Sequence, residues 1–156
     1  MLIALSLINR LELLPRRFAD GILIPDAVWQ EVVVAGAHRA GAEQVRHASW
    51  LRVQSVQNRS LVRLLSVGLD QGEAEAIALA DELKSGFLLL DEKDARRTAR
   101  NLGLAVLGTL GLLIWAKRSG VIPCLRSELD ALVGPGQFRL SQSVYAEALR
   151  LVGESR

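Results

Sequence analysis

The stretch LDQGEAEAIALADELKSGFLLLDEKDARRTARNLGLAVLGT, residues 69–109, decides the fold class of this chain. It predicts an alanine-rich helix ending at Gly86, an apolar run over 87–90, a basic helix and a second apolar run over 104–107. A short, wholly apolar run is typical of a strand that is covered on both faces. Two strands joined by one helix form a right-handed parallel unit. The stretch therefore predicts an α/β fold.

Acidic residues lie at three comparable places in the predicted elements. Asp91 follows the apolar strand, and Glu73 lies in the first turn of the helix before that strand. Glu31 lies in an earlier helix, where three- and four-residue spacing puts it on the same face as Val28 and Val32. Functional groups of parallel sheets collect beyond the carboxyl ends of the strands. We therefore treat these acids as one candidate site.

A cluster of carboxylates predicts a divalent cation. Converging carboxylates raise each other's pKa, and a cation relieves that repulsion. Ligands that are all oxygen favour Mg²⁺ or Mn²⁺, and one cysteine with two histidines cannot build a usual zinc site. Each acid also has a structural alternative. Asp70 and Glu73 have the spacing of a capping box, and Asp91 and Asp94 could both cap the following helix.

Length and composition narrow the class of protein. A chain of 156 residues, half of them apolar, is about one domain with a real core. Its net charge of +2 is too small to indicate a nucleic-acid partner by itself. One cysteine excludes an internal disulfide, and no apolar run reaches the roughly 20 residues of a membrane span. The apolar start is not preceded by the basic region of a signal peptide. We expect a cytoplasmic protein.

The other predicted elements complete a single domain over 1–156 whose part from about 123 to 153 is helical. They are a helix over 2–14 ended by Pro15, a strand over 21–25, a helix over 27–34 capped by Asp26, a helix over 42–50, an exposed edge strand over 51–55, a helix over 61–67, a helix from a Thr109 cap to Gly120, and helices over 124–133 and 141–153, the last capped by Ser141. The sequence has no phosphate loop, nucleophile elbow or dinucleotide fingerprint.

Four motifs together resemble a family of PIN-like domains, which are small bacterial and archaeal proteins related to the toxins of toxin–antitoxin pairs. The motifs are PDAVWQE at 25–31, LDQGEAEAIALA at 69–80, LLLDEKDARRTARNLGLAVLGTLGLLIWAKRSGVIP at 88–123 and QFRLS at 137–141. The resemblance implies a three-layer α/β/α fold with a central parallel sheet. It also implies a metal-dependent ribonuclease that uses Mg²⁺ or Mn²⁺, acts on RNA and is held by an antitoxin protein.

The resemblance also assigns the acids of the site. Glu31, Glu73 and Asp91 match the second, third and fourth acids of the family pattern. Glu75 is the alternative to Glu73, because the helix register is open. Glu92 beside Asp91, and Asp94 one helical step further along the chain, are additional candidate ligands.

The chain departs from the family pattern at its start. The family opens with a mid-sheet strand that ends in an aspartate, whereas Met1 corresponds to a position after that strand and its acid. Either the start codon is assigned too late, or the chain is a natural truncation. Loss of this strand predicts a gap in the sheet, exposed strand edges and association into a homo-oligomer. Because the first acid of the family pattern is absent, the sequence leaves open whether this chain is an active enzyme. One alternative is a non-catalytic PIN-like module that binds nucleic acid or has a regulatory role. Another is a phosphotransfer domain that uses Asp91, but the sequence offers no clear partner lysine for it.

Overall fold

The computed structural model describes residues 1–136 and 138–154, and shows an α/β fold with parallel strands. Its elements are α1 (Leu2–Leu7), α2 (Leu13–Arg17), β1 (Ile22–Ile24), α3 (Asp26–Trp29) continued by a π-helix (Gln30–Val34), α4 (Ala42–Arg46), β2 (Leu51–Val53), α5 (Arg59–Leu65), α6 (Gln71–Leu83), β3 (Leu88–Leu89), α7 (Lys93–Asn101), β4 (Val106–Leu107), α8 (Thr109–Arg118), α9 (Leu125–Val133) and α10 (Gln142–Leu151). Gln137, the first residue of the QFRLS motif, lies outside the described residues.

The strands of the described residues form two pairs. β1 pairs in parallel with β2, with Ile22 opposite Leu51. β3 pairs in parallel with β4, with Leu88 opposite Val106. Within the described residues these are two separate two-stranded sheets, so the expected central sheet is divided between β1 and β3.

A cavity of about 680 Å³ lies between the two sheets. Residues 21–25 line it from the β1 side, and residues 87–92 line it from the β3 side. Helices close it, for example through Leu2 of α1, Val28 of α3 and Ala76 of α6. The cavity therefore separates β1 from β3.

The sheet formed by β3 and β4 is covered on both faces. Leu89 and Leu107 pack against a cluster built mainly from α1, α2, α8, α9 and α10. Leu88, Leu90 and Val106 belong to or pack against a second cluster, built mainly from α5, α6 and α7. Alternate side chains of a strand point to opposite faces, so the two clusters explain why residues 88–90 are all apolar, whereas Phe87 is 47% exposed.

The first helix is shorter than its sequence pattern predicts. The chain leaves α1 at Ile8 and turns at Asn9, whose φ is 54°, a left-handed conformation that asparagine tolerates. The prediction that Pro15 ends a helix is wrong. Pro15 lies in the first turn of α2, where a backbone N–H has no partner within the helix and its absence costs little.

Two predicted helix caps have different roles in the structure. Asp26 and Thr109 are the first residues of α3 and α8, and the residues at the cap positions are Pro25 and Gly108. Distant carboxylates bind these helix starts instead: Glu75 accepts from Ala27 N, and Asp91 accepts from the backbone of Thr109. The prediction of Ser141 as the cap of α10 is confirmed, because its hydroxyl accepts from Val144 N.

Candidate functional site

The cavity has an acidic end. The acids that line it are Glu31, Asp70, Glu73, Asp91 and Glu92. They come from the π-helix after α3, from the start of α6 and from the segment after β3. The structure therefore brings Glu31, Glu73 and Asp91, which are far apart in the chain, to one cavity. Val28 and Val32 line the same cavity, on the face that they were predicted to share with Glu31.

Asp91 is tied to the start of α8. Its Oδ1 accepts a hydrogen bond of 2.7 Å from Thr109 N, and its Oδ2 accepts one of 2.7 Å from Thr109 Oγ1. The Met1 ammonium lies 3.0 Å from the same Oδ2. Burial raises the pKa of Asp91, but the charge of the ammonium and the bonds from Thr109 outweigh burial and lower it. Asp91 is therefore held in its ionised form.

Gly108 leaves room for this carboxylate. A Cβ atom at Gly108 would lie 3.2 Å from Asp91 Oδ1 and 3.2 Å from Leu90 O, which is tighter than an ordinary van der Waals contact. Glycine thus lets the start of α8 approach the end of β3 closely enough for Thr109 to bind Asp91.

Glu73 closes the predicted capping box and also takes part in the acidic end. Its backbone N–H donates to Asp70 Oδ1 at 2.8 Å, and its own Oε2 accepts from Asp70 N at 3.3 Å. Burial raises the pKa of Glu73, and the negative charges of Asp70, Glu92 and Glu31 raise it further. The acids at this end of the cavity therefore act on one another electrostatically.

Glu31 lies against the beginning of α6. A Cβ atom at Gly72 would meet Glu31 Oε2 at 3.3 Å and a methyl group of Val28 at 3.3 Å. The glycine at position 72 thus permits the π-helix to bring its carboxylate close to the first turn of α6. This contact places Glu31 beside Glu73, although the two residues are distant in sequence.

Glu75, the alternative to Glu73, has a structural role. Only 4% of it is exposed. Its Oε1 accepts from Arg59 Nη1 at 2.9 Å and from Gln71 Nε2 at 2.8 Å, and its Oε2 accepts from Ala27 N at 3.0 Å. Glu75 therefore joins α3, α5 and α6, and it is not among the residues that line the cavity. Residues two apart on a helix do not face the same side, which separates it from Glu73.

The two additional candidates after β3 differ in position. Glu92 lines the cavity and caps α7, since its Oε2 accepts from Ala95 N at 2.8 Å. Asp94 is exposed, pairs with Arg97 at 3.0 Å and is not among the lining residues. Glu92, and not Asp91 or Asp94, is thus the side chain that caps α7.

The carboxylates have the chemistry of a Mg²⁺ or Mn²⁺ site, but their arrangement is not a formed ligand set. Across residues 1–136 and 138–154, no three histidine, cysteine, aspartate or glutamate side chains form a group that could hold a metal ion. The Met1 ammonium already lies 3.0 Å from Asp91 Oδ2, and Glu73 is turned to its capping box. In this arrangement the residues do not fit an ion.

Sequence reasoning missed Thr109 and the Met1 ammonium as partners of Asp91. A signal for Thr109 was present, because the pair 108–109 directly follows the apolar run over 104–107. Parallel neighbouring strands end at the same edge, so the residues after two such strands lie side by side. The order of the strands had to be known before that signal could be used.

Parallel strands with acids grouped beyond them define an α/β domain with a candidate acidic site. The chain belongs to the PIN-domain family DUF3368, whose model matches residues 1–154. It is thus a nuclease-like, nucleic-acid-related module, of a kind that generally uses divalent metal ions. Neither a curated protein nor a solved structure matches the chain. No helix in the described part of the chain is long and apolar enough to cross a membrane.

Proposed function

We propose that this protein is a cytoplasmic, metal-dependent ribonuclease of the PIN type that hydrolyses RNA phosphodiester bonds at the acidic end of the cavity. One observation carries the proposal: Glu31, Glu73 and Asp91, from three different elements, line the same cavity. Mg²⁺ or Mn²⁺ is the proposed cofactor, because the candidate ligands are all carboxylate oxygens. The proposed biological role is the toxin of a toxin–antitoxin pair.

The electrostatics of the site separate the roles of two acids. Asp91, whose pKa is lowered, supplies a permanent negative charge beside α8. The pKa of Glu73 is raised by burial and by its acidic neighbours, so a positive charge placed near it is favourable. Because the described arrangement lacks a formed ligand set, we expect little or no cleavage until the carboxylates move closer together. An error of about 1 Å in the position of a reacting group can cost about a hundredfold in rate.

A second candidate is a non-catalytic module that binds nucleic acid. Two observations favour it: the Met1 ammonium lies beside Asp91, and within the described residues no three acids form a group that could hold an ion. The basic residues Arg96, Arg97 and Arg100 of α7 follow the acidic end of the cavity in the chain. Such a helix can bind the phosphates of RNA without catalysis.

Single-stranded RNA with Mn²⁺ tests both candidates. The chain itself is compared with a version extended before Met1 by an apolar strand that ends in aspartate, and we expect the extended version to cleave about a hundredfold faster. Glu73→Gln and Asp91→Asn in the extended version should abolish cleavage. Glu147→Gln, at an exposed position of α10, is the matched control and should leave cleavage unchanged.

The possible results separate the candidates. Equal cleavage by both versions, lost in each with Glu73→Gln, would show that three acids suffice and that the division of the sheet does not limit activity. RNA binding without cleavage in either version, unaffected by Asp91→Asn, would replace the ribonuclease by the non-catalytic module.

A further inference from the structure

An apolar groove of about 320 Å³ lies between α8 and α10. Leu110 and Ile114 of α8 form one wall, and Val144, Ala148 and Leu151 of α10 form the other. The two α8 side chains are half-buried, whereas 42% of Val144 and 40% of Leu151 are exposed. No residue lines both this groove and the cavity with the acidic end. The groove is therefore a surface feature separate from the candidate site.

The segment that follows α10 does not cover the groove. The chain turns at Gly153, whose φ is 73°. Glu154 then accepts hydrogen bonds from Leu125 N at 2.7 Å and Arg126 N at 2.8 Å, at the start of α9. Residues 152–154 are not among those that line the groove. The described end of the chain is thus bound to α9, and it leaves the groove free.

The apolar side chains of α10 are spaced for contact with a second copy of the same helix. Val144, Ala148 and Leu151 follow one another at four and three residues, so they form one stripe along α10. Val144 and Leu151 lie two turns apart, about 10 Å, with the small side chain of Ala148 between them. A two-fold axis through the middle of this stripe makes two copies of α10 antiparallel, and each Val144 then meets Leu151 of the other copy.

The charged side chains beside the stripe are self-complementary. Glu147 and Arg150 come directly before Ala148 and Leu151 in the sequence, so both lie on the same flank of the stripe. Within one chain they form an ion pair of 2.6 Å, with side chains that are 51% and 66% exposed. In the antiparallel arrangement, Glu147 of each copy also lies beside Arg150 of the other. Such exposed pairs add little affinity, but they favour this orientation over others.

The exposed apolar face of α5 lacks such complementarity. Leu64 is 69% exposed, and Val67, just after the helix, is 87% exposed. Arg59 and Arg63 lie on the same helix and line the same shallow pocket as Val67. Two copies of this face would bring arginines together, which is unfavourable. The groove between α8 and α10 is therefore the better match to a second copy of this chain.

We propose that two copies of this chain associate through the groove between α8 and α10. The two α10 helices pack antiparallel, each in the groove of the other copy, with the two α8 helices outside them. The four helices form a bundle whose shared core contains the five apolar side chains of each groove. The acidic end of the cavity is not part of this contact. The proposal therefore does not depend on cleavage of RNA.

Sedimentation velocity of the whole chain and of charge variants tests the proposal. Glu147→Arg leaves two positive charges on the flank of the stripe, and Arg150→Glu leaves two negative charges. We expect each variant alone to dimerise about tenfold or more weakly than the unchanged chain, because like charges meet across the contact. An equimolar mixture of the two variants should form a heterodimer, and the double variant Glu147→Arg/Arg150→Glu should again form a homodimer.

Glu43→Arg provides the matched control. Glu43 and Arg46 form an exposed pair on α4 with the same three-residue spacing, so the same change of charge there should leave dimerisation unchanged. Recombination of the two single variants also shows that each is folded, because a misfolded chain would not form the heterodimer. A monomer for the unchanged chain at micromolar concentration would overturn the proposal. So would a dimer that Glu147→Arg does not weaken, or a mixture of the two variants that stays monomeric.

Discussion

Glu73 and Glu75 stand two residues apart in α6, yet the structure predicts opposite consequences for the same substitution. Glu75→Gln replaces one carboxylate oxygen by an amide group that faces donors from Arg59, Gln71 or Ala27. A buried donor left without an acceptor costs about 1–3 kcal/mol. The lost ion pair adds less than about 1 kcal/mol, because the Arg59 side chain is 53% exposed and water screens it.

We therefore expect Glu75→Gln to lower the free energy of unfolding by about 3 kcal/mol. For a chain of this size, that corresponds to a fall in Tm of about 6–12 °C. Glu73→Gln should change the free energy of unfolding by less than about 1 kcal/mol, because glutamine can still accept from Asp70 N and the substitution removes repulsion from Asp70, Glu92 and Glu31. Thermal unfolding followed by circular dichroism measures both.

In a functional assay we expect the opposite order, with the larger loss for Glu73→Gln and the smaller loss for Glu75→Gln. In the version extended before Met1, Glu73→Gln is expected to remove RNA cleavage, while Glu75→Gln should retain it below its lowered Tm. Equal changes in Tm for the two variants, or a greater functional loss for Glu75→Gln, would refute the separation of a structural acid from a site acid.

Three further predictions follow from other contacts. Burial raises the pKa of Glu154, but hydrogen bonds from the backbone N–H groups of Leu125 and Arg126 and from Lys117 outweigh it and lower the value to about 2. The resulting stability is present above about pH 4.5 and is lost as pH falls toward 2, so unfolding of Glu154→Gln should depend less on pH across that range. Calorimetry should show weak Mn²⁺ binding that Asp91→Asn weakens further, and undiminished binding by that variant would contradict its place among the ligands. Light scattering at micromolar concentration should show a dimer or larger species, because free strand edges and exposed apolar side chains favour association, and a monodisperse monomer would contradict this.

Local contacts were predictable from the sequence. The capping box of α6 was visible in the spacing of Asp70 and Glu73, and both of its hydrogen bonds are present. The apolar composition of the 87–90 run predicted cover on both faces, which the structure shows for Leu88, Leu89 and Leu90 but not for Phe87, which is 47% exposed. These features depend on residues close in sequence, so the pattern of side chains is sufficient to predict them.

Contacts between distant segments were not predictable in the same way. Glu75 binds Ala27, and Asp91 binds Thr109, across separations of 48 and 18 residues. These bonds depend on which strands are neighbours and how closely the helices approach, and glycines at 72 and 108 permit that approach. The sequence identified the acids but could not divide them into those that stabilise helix starts and those that face the cavity.

Asp91 shows that these two roles can coexist in one residue. Thr109 binds both of its oxygens and so stabilises the start of α8, while the Met1 ammonium lies beside one of them at the acidic end of the cavity. The charge of the Met1 ammonium and the bonds from Thr109 lower the pKa of Asp91 and keep it ionised, and the bonds from Thr109 also fix its position. A cation that binds Asp91 would have to displace the ammonium or share the carboxylate with it. The contact between the ammonium and Asp91 would therefore weaken the binding of the proposed cation.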